Sequence, residues 1–158
     1  MTITVDKNHN LLGVEAHMEG EGPSEPEVGL KHGKELIDNG NVINKVNCDG
    51  KYDTDKTFDF WGKNKTEISI PQRKNAKIRR SKSRYRKREI RRIRKWGRKK
   101  WERKTRYSDR LVVESENSAV KRVFGEDLRS KRDDYACAEG IQRFVLYDFL
   151  KDYGKGMT

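Results

Sequence analysis

Two short runs open the chain: Thr2 to Asp6 and Leu11 to His17 alternate or run apolar on either side of the polar stretch Lys7-Asn8-His9-Asn10. That pattern predicts a β-hairpin with a polar turn. Glu19 to Pro26 is rich in Gly, Pro and Glu and reads as a loop. Within it Ser24, followed three residues later by Glu27, makes a capping box in front of a helix that ends near Asn39-Gly40. Val42 to Cys48 is a β-branched run that stops at Asp49-Gly50, as a buried strand delivering Asp49 to its carboxyl end would. Asp53 or Thr54 caps a short helix through about Gly62 that carries Phe58 and Trp61 on one side, and Thr66 to Ile70 is another strand.

The most informative periodicity lies further on. At about 100° per residue, Tyr107, Arg110, Glu114 and Lys121 project from one side of a helix. Val112, Val113, Ala119, Val120, Val123 and Phe124 gather on the other, so residues 109–124 form an amphipathic helix with Glu114 on its polar side. Ser108 is the candidate N-cap and Gly125 the candidate C′ residue. Glu116 points sideways from the stripe. A last helix, about Tyr135 to Tyr153, presents Ile141, Phe144, Val145 and Phe149 for packing over one face of a sheet. The order of hairpin, helix, strand, helix, strand, basic region, helix and helix is that of a mixed α/β domain.

Composition narrows this picture. With 158 residues, of which 39% are charged and 32% hydrophobic, the chain has room for one domain, residues 1–158, with a lean core. The net charge of +12 is concentrated: residues 73–106 hold 20 Lys or Arg against Glu89 and Glu102. Such a density calls for a polyanion, because packing it without one would leave buried cations uncompensated. Tyr85, Trp96 and Trp101 interleave there with Arg84, Arg91, Arg94 and Arg98, which suits phosphate tracking with ring stacking on bases. Cys48 and Cys137 form no CxxC pair and read as small core residues. His9, His17 and His32 show no ligand-like spacing, so a zinc site is not expected. No apolar run is long enough to span a membrane and no signal region opens the chain, which points to the cytoplasm.

The spacing Tyr107-x2-Arg110-x3-Glu114-x6-Lys121 resembles the motif that closes the active site of DDE transposases from prokaryotic insertion sequences. Val46 to Asp53 resembles the strand-end segment that carries the second catalytic Asp of those enzymes, Pro71 to Ala76 the strand exit after it, and Phe124 to Ser130 the continuation past the Glu helix. The resemblance implies an RNase H-like core with a long basic insertion. It implies metal-dependent DNA cleavage and strand transfer at insertion-sequence ends, with Asp49 and Glu114 as catalytic acids holding two Mg²⁺ or Mn²⁺ ions. Tyr107, Arg110 and Lys121, with the basic segment, would contact transposon-end and target DNA near the nucleoid.

One element of the family pattern has no counterpart. The first catalytic Asp belongs on a central strand ahead of the hairpin, and no residue fits that place; Asp6, beside the hairpin turn, is the nearest substitute. The expectation is therefore an amino-terminally truncated or split transposase. It would be inactive alone, with a complementing amino-terminal fragment or a homo-oligomer as its expected partners. The competing expectation is a non-catalytic nucleic-acid binder, either a transposition repressor or an RNA-binding protein, that uses the basic segment only. Asp53 is expected to cap a helix.

Overall fold

Asp6 decides the first turn of the molecule. In the computed structural model, which describes residues 1–18 and 20–155, its carboxylate accepts the backbone N–H groups of Asn8 and Asn10 and the Asn10 side-chain amide at 2.7 to 2.9 Å. The turn is closed by its own side chains, with His9 at φ 68°. It joins β1 (Thr2–Val5) to β2 (Leu11–Glu15) in the expected antiparallel hairpin, paired Thr2 to Glu15 through Val5 to Leu11 with an irregularity between Thr4 and Val5. Asp6 is thus occupied as a turn former.

Length and composition point to one domain; the contacts divide the chain into two compact units. The first comprises Met1–His32 and Leu111–Thr158, the second Gly33–Arg110. Helix α1 (Glu25–Asp38) begins with one half of the capping box, the Ser24 N–H donating to the Glu27 carboxylate, which also accepts the Ser24 hydroxyl, while the Glu27 N–H goes to the Ser24 carbonyl. In the first unit His32 of α1 is buried over the hairpin. Its Nδ1 lies 2.9 Å from the Thr4 hydroxyl, and its ring passes so close to Gly13 that a Cβ there would sit 2.8 Å from it. Helices α5 (Leu111–Phe124) and α6 (Asp133–Lys155) complete this unit and pack on each other and on the hairpin.

Packing corrects the two helical faces. Val120 and Phe144 are buried, but Val123, Val145 and Phe149 are 54%, 51% and 64% exposed. Apolar residues occupy more than one side of α6, and its contacts are made by the Gly140–Phe144 side, so periodicity alone could not choose the buried stripe.

The second unit is built on a parallel pair, β3 (Lys45–Asn47) beside β4 (Glu67–Ser69), in register Val46 to Ile68. Both strands are shorter than the sequence suggests, and Val42 is 84% exposed outside β3. Thr54, not Asp53, caps α2 (Asp55–Lys63), accepting the Thr57 N–H. The basic region forms a helical hairpin, α3 (Arg84–Trp96) and α4 (Arg98–Thr105), joined at Gly97, whose φ of 74° takes glycine without strain. Phe58, Trp61, Ile68, Ile70, Ile90 and Trp101 are the core. Helix α3 approaches α2 closely enough that a Cβ on Gly62 would lie 2.3 Å from the Tyr85 ring. The class is mixed α/β, as expected; the strands form two separate two-stranded sheets, one in each unit.

Candidate active site and nucleic-acid interface

Asp49 lies just past the carboxyl end of β3, where the parallel ladder runs one residue further through Cys48 N–H to the Ser69 carbonyl. The exit from a parallel strand is where open α/β sheets place ligand-binding groups. There Asp49 caps a single 3₁₀ turn, Gly50–Tyr52, one carboxylate oxygen accepting the Lys51 N–H at 2.6 Å. Its side chain is half-buried. Next to it the Cys48 thiol is pushed up to about 12 by burial and then by the Asp49 charge, so it is protonated at neutral pH.

The turn that carries Tyr107, residues Tyr107–Arg110, packs against β3. The Tyr107 ring lies 5.3 Å from Trp101, with the guanidinium groups of Arg98 and Arg110 at 5.6 and 5.5 Å. Burial raises its phenol above the usual range; Arg110 and Arg98 oppose the rise and the Asp49 charge adds to it. The Tyr107 phenol is therefore a protonated hydrogen-bond donor flanked by two cations.

The four-residue stripe is not carried by one helix. Arg106 ends α4 in the left-handed region at φ 48°, and the chain re-enters through a 3₁₀ turn, Tyr107–Arg110, before α5 begins at Leu111. Ser108 sits inside that turn instead of capping a helix. Three residues per turn aligns Tyr107 with Arg110, while Glu114 and Lys121, seven apart, share a side of α5. Glu114 is exposed in the first turn of α5 and Lys121 is exposed in the last, each complementing the helix dipole. Gly125 has the expected C′ role, at φ 86° with its N–H on the Lys121 carbonyl. Glu116, by contrast, is buried and paired to His9 at 2.8 Å and Lys151 at 2.9 Å, so it holds the hairpin turn.

On the basic hairpin, Arg84, Arg91, Arg94 and Arg98 are exposed. Arg84 lies over the Tyr85 ring, Arg94 donates to the Ala76 carbonyl at 3.4 Å, and Arg98 pairs with Glu102 at 2.5 Å. The ring-stacking expectation needs correction. Trp101 is fully buried and gives its indole N–H to Glu89, so it builds the hairpin and cannot meet a base. Trp96 is half-buried, with Arg92 at 5.2 Å and Lys104 at 4.8 Å from its ring, which makes it a spacer between cations. Glu89 carries no signal in the helical periodicity. As the lone acid between Arg73 and Trp101, it is the residue in that stretch with no place on a polyanion-binding face, and that was the available signal.

Asp53 is a cross-link and not the cap of α2. Its buried carboxylate receives Arg86 Nε at 2.7 Å, Arg86 Nη2 at 3.0 Å and the Arg73 N–H at 2.9 Å.

The donor chemistry near Asp49 fits a hard cation. Two residues upstream, Asn47 Oδ1 is a buried oxygen with no protein partner, and Mg²⁺ characteristically takes one or two carboxylates and fills its sphere with water and substrate phosphate. No group of three His, Cys, Asp or Glu gathers among the described residues. No helix among them is long and apolar enough to cross a membrane.

No curated protein and no solved structure matches the chain. A family model, the transposase DDE domain, matches residues 5–146, a span that takes in Asp49, the basic helices, Tyr107, Arg110, Glu114 and Lys121. DDE transposases are enzymes whose substrate is DNA and which in general use divalent metal ions, and on the residues matched this chain belongs to that family.

Proposed function

We propose that this chain supplies two of the acids, Asp49 and Glu114, of a metal-dependent centre that cleaves and joins DNA at insertion-sequence ends, and that its basic hairpin holds the DNA. The observation that carries the reading is the position of Asp49 at the exit of a parallel strand that packs against the turn bearing Tyr107, whose ring is flanked by Arg98 and Arg110, inside a chain of the DDE family. Two Mg²⁺ ions about 3.5 to 4 Å apart would activate the attacking oxygen and neutralise the leaving one. Asp49 and Glu114 are the residues that would hold them. Tyr107 donates a hydrogen bond and Arg98, Arg110 and Lys121 neutralise phosphate, which orients the backbone to be cut. Arg84, Arg91 and Arg94 supply non-specific, salt-sensitive affinity.

The third acid of the family has no counterpart in these residues, Asp6 being committed to its turn. The chain taken alone is therefore proposed to bind DNA without completing cleavage, with the remaining carboxylate coming from another polypeptide segment. A second reading, a repressor-like DNA binder with no catalytic role, rests on the exposed cations of the basic hairpin, which need no acid to hold DNA.

The test is cleavage and joining of end-bearing DNA with Mg²⁺ or Mn²⁺, by the chain alone and with added amino-terminal segments that carry a strand ending in Asp. Activity should appear only on complementation and should vanish in Asp49→Asn and Glu114→Gln, with DNA binding retained. Activity of the chain alone that is lost in Glu114→Gln would overturn the claim of incompleteness. Complemented activity indifferent to both substitutions would sink the assignment of the acids.

A further inference from the structure

The first turn of α3 contains Arg84, Arg86 and Lys87 and no acid, an arrangement that a helix amino terminus disfavours because its own partial charge is positive. The compensation comes from elsewhere in the second unit. Ser83, the N-cap, donates its hydroxyl to Asp59 of α2 at 2.6 Å. Asp55, at the start of α2, accepts the Ser81 hydroxyl and the Lys82 N–H, both at 2.6 Å, and Arg86 Nη1 at 3.2 Å. The strongest link is Arg86 to Asp53, a two-point pair in which Nε and Nη2 reach separate oxygens of a carboxylate whose side chain is fully covered.

Asp53 is also the residue that closes the turn Asp49 opens. Its N–H donates to the Gly50 carbonyl, and the Tyr52 N–H donates to the Asp49 carbonyl. Arg73 grips the same turn from outside, its guanidinium reaching the Lys51 carbonyl at 2.9 Å and the Gly50 carbonyl at 3.4 Å, while its N–H donates to Asp53. The turn bearing Asp49 is thus bolted to the amino terminus of a helix whose exposed residues include Arg88, Arg91, Arg94 and Lys95. A covered ion pair of this kind adds little net stability over an apolar contact, since both charges are desolvated, but it sets geometry tightly.

We propose that Arg86 and Asp53 are positioning residues that couple the seating of α3 on DNA to the placement of the Asp49 carboxylate. This rests on the reading given above, in which α3 faces DNA and Asp49 binds metal. Arg86 looks in sequence like one more phosphate contact, yet its side chain is only 15% exposed and is spent inward.

The test is amide hydrogen exchange on the full chain with and without a short duplex DNA. Binding should slow exchange in α3 and, by about tenfold, at Lys51 to Asp53. In Arg86→Gln the duplex should bind within about threefold of the parent and still protect α3, but the Asp49 turn should no longer respond. Asp53→Asn keeps size and one acceptor oxygen, and should show the same uncoupling if Arg86→Gln folds poorly. A purely structural pair would lower stability in both variants and leave the DNA-induced protection of the turn intact, which would overturn the proposal. Protection of α3 with no response of the turn in the parent chain would overturn it as well, leaving the DNA-binding reading in place. Absence of any DNA-induced protection in α3 would remove that reading, and this inference with it.

Discussion

The two units of the molecule carry opposite charge. Met1–His32 with Leu111–Thr158 holds 10 Lys and Arg against 15 Asp and Glu, a net of −5, whereas Gly33–Arg110 holds 27 against 10, a net of +17. Each nevertheless buries one glutamate in a helix and uses it in the same way. In the first unit Glu116 of α5 joins His9 of the hairpin turn to Lys151 of α6, and Lys151 also donates to the His9 carbonyl. In the second, Glu89 of α3 takes the Trp101 indole N–H from α4 and Arg92 from its own helix. A covered carboxylate needs donors from several directions, so each cross-links elements that apolar contact alone would hold loosely.

The contrast lies in how the remaining charge is handled. The first unit pairs its acids locally: Glu15 with Lys31 and His17, and Glu139 with Arg143 and the backbone of Arg129 and Ser130. The second has too few acids for its cations. It places Asp53, Asp55 and Asp59 at the base of α3 and stacks further cations on Tyr85, Trp96, Trp101 and Tyr107. The outer row of Arg and Lys is left facing solvent. That residue of positive charge is the surface proposed above to meet DNA phosphate.

The comparison can be broken most forcefully at Trp101. Trp101→Ala should destabilise the second unit by about 3–5 kcal/mol, since it opens a cavity and strands Glu89, and denaturant unfolding should show the loss. Next in size is the outer face. Arg91→Glu with Arg94→Glu should weaken duplex binding on the order of 100-fold at low salt and flatten the salt dependence, read by anisotropy across a salt series. Stability should change little, because both side chains are exposed.

The subtlest effect belongs to the acidic unit. The backbone N–H groups of Arg129 and Ser130, with Arg143, hold the Glu139 carboxyl down to about 2 from its ordinary 4.5. A depressed acid contributes stability above its unfolded value that is lost as pH falls through its folded one. Order in the loop Gly125 to Ser130 should therefore be complete above about pH 4.5 and decline toward pH 2. An NMR titration of the Arg129 and Ser130 amides should follow that decline, and Glu139→Gln should flatten it.

Much of this architecture was legible in the chain itself. Local chemistry is enough for the capping box at Ser24 and Glu27, the polar hairpin turn, the Gly125 helix end and the concentration of charge in residues 73–106, because each depends on neighbours a few residues away. The Tyr107 to Lys121 spacing and the Asp49-Gly50 stop likewise pointed to the family that the match over residues 5–146 supports. Tertiary structure alone decided which side of each amphipathic helix is covered, so Val123, Val145 and Phe149 came out exposed. It turned Trp101 inward and Arg86 away from solvent, choices that depend on Glu89 and Asp53 at 12 and 33 residues' distance. It also broke the stripe at Arg106, where one left-handed residue ends α4 and starts the tighter turn that carries Tyr107 against β3. Periodicity records what a helix could present, and long-range packing selects what it does present, because burial and ion pairing are settled by partners the local sequence does not contain.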